Sequence, residues 1–202
     1  MVFLKKFGLN SSVKKVEIDL PGIYRYDNVL DKQSCKRLHN FIIQRCGLTK
    51  DYDPKLMPWE ENDKIQALNI RDIQLKNLIL EYREKVTALV RECYKTTCWP
   101  EQTDLVLWRT NRQHTLHEDD PSKVKVFSTV TYLNSGFLGG ETYITVDGKE
   151  YWSKPKSGSI IIYPSETIHG IPIITKGIRT TLGIWFCTNI NFREELQLEL
   201  FR

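Results

Sequence analysis

The pattern of apolar and polar positions divides the chain into a helical first half and a strand-rich second half. Val13 to Leu20 reads as an opening strand, Pro21-Gly22 as a turn, and Ile23 to Tyr26 as a second short strand. Asp31 stands where a carboxylate can cap free backbone N–H groups. Cys35, Leu38, Phe41, Ile42 and Arg45 then recur at helical spacing, and Gly47 is placed to stop that helix. Thr49 to Asn69 carries no period. With Pro54, Pro58, Tyr52 and Trp59 it reads as a lid or binding loop, or as a surface connection anchored by aromatics. The strongest period follows: Leu75, Leu78, Ile79, Tyr82, Val86, Leu89, Val90 and Cys93 keep the 3-and-4 spacing through about six turns. Arg71, Lys76, Glu81, Glu84, Lys85 and Glu92 fall largely on the other side, which predicts a long amphipathic helix backing a sheet.

Beyond Thr96-Thr97 and Pro100 the period shortens to two. Leu105–Trp108, Val124–Leu133, Thr142–Val146, Glu150–Trp152, Ser159–Tyr163 and Thr180–Phe186 read as strands, with Asp147-Gly148 as a hairpin turn between two of them. Helices followed by a run of short strands imply a mainly β fold, an antiparallel barrel or sandwich supported by helices. One domain is expected, with residues 1–100 as a helical support layer with edge strands and the core within 104–190. Counting by twos on the last strand puts Arg179, Thr181, Gly183 and Trp185 on one face, and Leu182, Ile184 and Phe186 on the other, toward the helices. On the long strand, Ser128, Val130 and Tyr132 share one face, while Phe127, Thr129, Thr131 and Leu133 share the other.

Composition narrows the classes. At 202 residues and 41% hydrophobic the chain can bury a sizeable core. A net charge of +4 is too small to imply nucleic acid without a concentrated patch. Lys5-Lys6, Lys14-Lys15 and Lys123/Lys125 read as solvated surface. Five cysteines, an odd number without metal-ligand spacing, read as reduced thiols. The N-terminus carries charges where a signal sequence needs an apolar core, and no run has the length of a transmembrane helix. The expectation is a soluble intracellular protein with no membrane partner.

The candidate chemistry lies between His117 and Arg179. Non-haem Fe(II) oxygenases use two imidazoles and one carboxylate on one face of the ion, leaving positions open. A His-x-Asp pair at a strand end can present two such ligands, and a distant strand must supply the third. His117-Glu118-Asp119 with His169 fits that arrangement, with Glu118 and Asp120 as alternative carboxylates of less favourable spacing. His39 falls on the first helix, and His114 has Leu116 as its second neighbour, so neither makes the short chelating pair. A zinc hydrolase can use the same three ligands. Arg179 separates the two readings, because an arginine inside a barrel is costly without a carboxylate to fork onto. Tyr132 can point its hydroxyl at the same carboxylate.

The segments W-R-T-N-R-Q-H-T-L-H-E-D, V-T-Y-L-N-S-G-F-L-G-G-E-T, K-P-K-S-G-S-I-I-I-Y-P, H-G-I-P-I-I-T-K-G-I-R and L-G-I-W-F resemble the 2-oxoglutarate- and Fe(II)-dependent dioxygenases, most of all the procollagen prolyl 3- and 4-hydroxylase group. The resemblance covers about residues 104–190 and implies a double-stranded β-helix, or jelly roll. It implies Fe(II) on His117, Asp119 and His169, the distal carboxylate of 2-oxoglutarate on Arg179, contact from Tyr132, O2, and ascorbate as a reductant. The implied reaction hydroxylates a C–H bond of a protein or peptide, proline first, and releases succinate and CO2. Lysyl or small-molecule hydroxylation, nucleic-acid demethylation and a non-catalytic jelly-roll module are the alternatives. Demethylation lacks the second arginine typical of that branch, since T-T-L-G-I-W-F-C follows Arg179. Trp108 stands where many prolyl 4-hydroxylases carry a tyrosine, Arg112-Gln113 replaces a Gly-Gln, and no Pro precedes His117. Trp59, Trp108 and Trp152 are candidates to line the substrate entrance, with the 49–69 loop and the Asp147-Gly148 hairpin as lids.

Overall fold

A computed structural model describes residues 12–47, 63–119 and 123–195, which hold two α-helices and eleven strands, most of them following the periods described above. The first helix, α1 (Lys32–Cys46), begins where Asp31 accepts the Ser34 backbone N–H at 2.9 Å and the Ser34 hydroxyl at 2.6 Å. It ends at Gly47, whose φ of 74° would strain any side chain and whose N–H donates to Ile43 O at 2.8 Å. The second helix, α2 (Ile73–Tyr94), is capped by Asp72, whose side chain accepts from Gln74 and Leu75 N–H at 3.0 Å. Cys35, Leu38 and Ile42 of α1 and Leu75, Ile79, Tyr82, Val86, Leu89 and Val90 of α2 are buried.

The strands are β1 (Lys14–Val16), β2 (Tyr24–Asp27), β3 (Asp63–Gln66), β4 (Trp99–Trp108), β5 (His114–His117), β6 (Phe127–Tyr132), β7 (Thr142–Val146), β8 (Lys149–Ser153), β9 (Ile160–Pro164), β10 (Ile168–Ile171) and β11 (Arg179–Cys187). They form a seven-stranded sheet in the order β1-β2-β9-β6-β11-β4-β3 and a four-stranded sheet in the order β5-β10-β7-β8. Every pairing is antiparallel. The fold is therefore mostly β, with two antiparallel sheets and few helices.

Alternation on the large sheet sorts its two faces. Leu182, Ile184 and Phe186 of β11, Leu105 and Leu107 of β4, and Ile160 and Ile162 of β9 join the buried side chains of both helices in one apolar cluster. The Tyr82 hydroxyl reaches Thr131 Oγ1 at 2.7 Å, and His39 Nδ1 reaches Thr180 Oγ1 at 2.8 Å, so threonines on this face bond to the helices. The residues between them point the other way. Val106, Trp108, Val130, Thr181, Gly183 and Trp185 line a cavity that also takes side chains from the small sheet. β9 reads as a continuous apolar run because both of its faces are buried, with Ile161 and Tyr163 in a second cluster.

The Asp147-Gly148 turn is a two-residue hairpin joining Val146 to Lys149, with φ of 49° and 74° at its two residues, the sign that a twisted hairpin requires. Elsewhere the structure departs from the period. Asp63–Gln66, within the stretch expected to be irregular, forms β3 on the edge of β4, followed by a 3-10 turn at Ala67–Asn69. Its D-K-I-Q sequence holds one apolar side chain, too few to signal a strand. The rest of that loop, with Trp59, lies outside the described residues. β4 begins at Trp99 and so contains Pro100. The proline is tolerated because β4 itself bulges beside it, with Glu101 as the extra residue opposite Trp185/Phe186, and β3 pairs only residues 104–107, so the missing N–H lies outside the β3 ladder.

Candidate metal centre

The small sheet brings the two distant histidines together. β5 and β10 are antiparallel neighbours with His117 directly opposite His169, and their ring centroids are 4.3 Å apart. Asp119 follows β5 by two residues and is tied down by its own N–H, which donates to Ser165 O at 3.0 Å. One nitrogen of each histidine and one carboxylate oxygen of Asp119 all lie within 4.8 Å of one another. The separations are 3.9 Å from His117 Nε2 to Asp119 Oδ1 and 3.6 Å from His169 Nε2 to Asp119 Oδ2.

Backbone carbonyls set the tautomers. His117 Nδ1 lies 2.7 Å from Thr115 O and His169 Nδ1 lies 2.8 Å from Thr167 O. A carbonyl only accepts, so each Nδ1 carries the proton and each Nε2 lone pair faces the shared space. Asp119 Oδ2 is buried there without a hydrogen-bond partner. Burial pushes the Asp119 carboxyl up, but His169, with Ser128 and Trp185, outweighs it and holds the group ionised below the usual carboxylate range. Burial, and then the neighbouring His169, pulls His117 down from its ordinary value. Two imidazoles and one carboxylate with an orphaned buried oxygen form a donor set that a divalent cation would satisfy.

Arg179 opens β11 opposite Trp108 of β4 and is 2% exposed. Its Nη2 donates to Thr142 Oγ1 at 3.1 Å, its guanidinium lies 5.5 Å from the centroid of the Tyr132 ring, and its Nε has no partner. No carboxylate of the described residues forms an ion pair with it within 4.0 Å. A cavity of about 90 Å³ is lined by Arg179, Thr142, the three candidate ligands, Val106, Trp108 and Ile171 among others. A buried cation in such a cavity is stabilised by an anion entering it.

The remaining candidate residues divide between the cavity and the surface. Tyr132 is fully buried on the same face as Arg179, but its hydroxyl is committed: it donates toward Thr142 Oγ1 (3.0 Å) or Ser153 O (3.1 Å) and accepts from Thr142 N (2.8 Å). It therefore braces Arg179 with its ring, and its proton already has acceptors within the protein. Trp108 is buried in the cavity wall. Trp152 is not in that wall. It is 46% exposed and stacks on Tyr143 at 4.7 Å, because Thr142 and Ile144 take the inner face and leave Tyr143 and its partner outside. Glu118 is exposed, and with Val146 and Asp147 it lines a separate surface groove. Asp120 lies outside the described residues.

The sequence reading missed His114, Tyr163 and Lys64 as cavity residues. His114 and His117 are an odd number of positions apart, which on a regular strand sends them to opposite faces. An irregularity against β10 pairs His169 with His117 and Ile171 with His114, so both rings face inward, 3.6 Å apart. Burial, with His117 and His169 nearby, pushes His114 down to about 3, which keeps it neutral. Tyr163 packs 4.7 Å from the His169 ring, and its hydroxyl is raised by burial and by Asp119. Counting by twos along I-I-I-Y-P was the available signal for it.

Comparisons with known proteins agree with this architecture. No family model matches the chain. Human prolyl 3-hydroxylase 2 is 26% identical over 210 residues, which cover 83% of this chain and 30% of that protein. The chain thus spans under a third of the curated relative's length. A Trichoplax adhaerens prolyl hydroxylase solved with a hypoxia inducible factor peptide fragment superposes with a TM-score of 0.71 at 12% identity, covering 98% of this chain and 94% of that one. The viral collagen prolyl hydroxylase of Paramecium Bursaria Chlorella virus-1, solved as a 2OG complex, gives a TM-score of 0.64 at 16% identity, covering 85% and 98%. The chain shares the fold of these enzymes.

Proposed function

We propose that the chain is an Fe(II)- and 2-oxoglutarate-dependent dioxygenase that hydroxylates a C–H bond of a peptide substrate, with proline as the target residue. The observation that carries this reading is one cavity with a His-Asp-His donor set and a buried arginine that lacks an anion. The two sheets read as the halves of a double-stranded β-helix within 104–190, with the helices of 1–100 as its support layer in a single domain. Likeness to prolyl 3-hydroxylase 2 supports proline as the target.

In this reading His117, Asp119 and His169 hold Fe(II), and the carbonyls of Thr115 and Thr167 fix the two imidazoles so that Nε2 faces the ion. Bound iron supplies O2 activation coupled to decarboxylation of 2-oxoglutarate to succinate and CO2, the oxidation that C–H hydroxylation needs. Arg179 would hold the distal carboxylate of 2-oxoglutarate, with Thr142 orienting the guanidinium and the Tyr132 ring centroid 5.5 Å from it. Val106, Trp108, Val130 and Ile171 exclude water from the cavity. Tyr163, held protonated, packs against His169 and keeps its ring from turning. The test is succinate formation from 2-oxoglutarate with added Fe(II). Wild type should form succinate, and His169→Ala should reduce it by at least about a hundredfold, the scale of losing a metal ligand or its direct support. Full succinate production by His169→Ala would sink the ligand assignment.

A further inference from the structure

Besides the histidines, three charged side chains line the cavity: Asp119, Arg179 and Lys64. The proposed function assigns roles to the first two and none to the third. Lys64 is exposed, whereas Arg179 is 2% exposed, so one cation stands at the solvent side of the cavity and the other is sealed inside.

The backbone fixes where Lys64 stands. β3 pairs in register with β4, with Lys64 opposite Val106, whose side chain is itself in the cavity wall. Ile65, the next residue, packs against the apolar cluster of the helices, so alternation turns Lys64 toward the cavity. The base of the strand is pinned: Asp63 pairs with Arg109, and Arg109 also donates to Cys46 O and Gly47 O at 3.0 Å. Among the described residues no carboxylate forms an ion pair with Lys64. Asp104, two residues along β4 on the same face, feels the Lys64 charge but accepts from Gln102 Nε2 at 2.5 Å and forms no ion pair with Lys64 within 4.0 Å.

We propose that Lys64 is a specificity-determining residue that favours peptides carrying a carboxylate close to the reacting residue. This rests on the dioxygenase reading for the identity of the reacting residue. An ammonium is a compact charge with three donors on a flexible stem, suited to a carboxylate whose exact position varies. At the solvent side of a cavity such a pair is worth about fivefold in affinity and weakens as salt screens it. Its larger effect is on choice, because a lysine-bearing peptide in the same pose meets a like charge.

The experiment uses the full chain and fluorescein-labelled proline peptides that differ only beside the proline, with Glu, Gln or Lys there, plus a pair ending in a free carboxylate or an amide after proline. Anisotropy titrations read binding, and succinate release with Fe(II) and 2-oxoglutarate reads turnover. The Glu peptide should bind wild type about fivefold more tightly than its Gln twin, and the Lys peptide more weakly than either. Lys64→Met should level the three, Lys64→Arg should keep the order, and Lys64→Glu should invert it. If the gain appears in the acid–amide pair instead of the Glu–Gln pair, the carboxylate recognised is the chain terminus. Equal midpoints for all peptides on wild type, or an order that persists in Lys64→Met, would overturn the assignment even if succinate is formed. Failure to form succinate with any peptide would instead count against the dioxygenase reading, and an order that depends on Lys64 would still support its role in binding.

Discussion

Replacing Arg179 with methionine should stabilise the empty protein and remove its response to 2-oxoglutarate. The guanidinium is 2% exposed, bonds to Thr142 Oγ1 at 3.1 Å, has an unpartnered Nε and pairs with no carboxylate of the described residues. Withdrawing such a charge from water costs several kcal/mol, roughly, even after relaxation. The Thr142 bond and the Tyr132 ring return about 1–3 kcal/mol of that. Methionine keeps an unbranched apolar stem, deletes the charge and leaves a small void costing about 1 kcal/mol. The expected balance is a gain of about 1–2 kcal/mol, or roughly 2–8 °C in Tm for a chain of this length. Thermal melting followed by far-UV circular dichroism, with and without 2-oxoglutarate and a divalent cation, measures both effects. In wild type, 2-oxoglutarate at about a hundred times its Kd should add about 2.7 kcal/mol, and in the variant it should add nothing. A variant that melts below wild type by more than about 4 °C, or that keeps the full response to 2-oxoglutarate, would refute the reasoning.

Two further outcomes follow from the scaffold. Burial holds His39 below its ordinary value while its Nδ1 bonds Thr180 Oγ1 at 2.8 Å, so below about pH 6.5 the unfolded chain takes up this proton before the folded one does. Stability should therefore fall as pH drops from that point toward the folded value, and His39→Gln should flatten that part of a urea-denaturation pH profile while leaving the profile above pH 7 (about neutral) parallel to wild type. Gly158 has φ of 79°, and a Cβ there would lie 2.1 Å from Leu30 O, whose segment donates back to Gly158 O through Val29 N–H at 2.8 Å. Gly158→Ala should cost at least about 2–4 kcal/mol in chemical denaturation, and a loss under about 1 kcal/mol would show that this contact relaxes freely.

How much of the fold is legible in the sequence depends on how many residues carry each signal. α2 showed itself through eight apolar positions at one spacing, and the β7–β8 hairpin through Asp-Gly between two alternating runs. The faces of β11 could be counted because Arg179, Thr181, Gly183 and Trp185 line the cavity in strict alternation with residues of the other face. β3 was hidden, since D-K-I-Q offers one apolar residue and its existence depends on the free edge of β4. β10 was hidden as well: I-H-G-I is short, and its glycine is there because a Cβ would come within 2.9 Å of the Tyr143 ring and 3.0 Å of His114 O. The His-x-Asp spacing pointed to three residues that the structure does bring together. The inward turn of His114 depends on an irregularity between strands far apart in the chain, and no spacing in one strand contains it. Tyr132 was legible as an inward residue, but the fate of its hydroxyl depends on Thr142 and Ser153, which the small sheet brings to it.

The central claim is that one cavity binds a metal through His117, Asp119 and His169 and places 2-oxoglutarate between that metal and Arg179. Its most direct test is anaerobic titration of the protein with Fe(II) and then 2-oxoglutarate, followed in the visible spectrum. The account predicts a weak charge-transfer band that needs both additions, is absent from His169→Ala, and is lost at the wild-type midpoint in Arg179→Met, which should still bind Fe(II). No band in wild type, or an unchanged band in either variant, would contradict it.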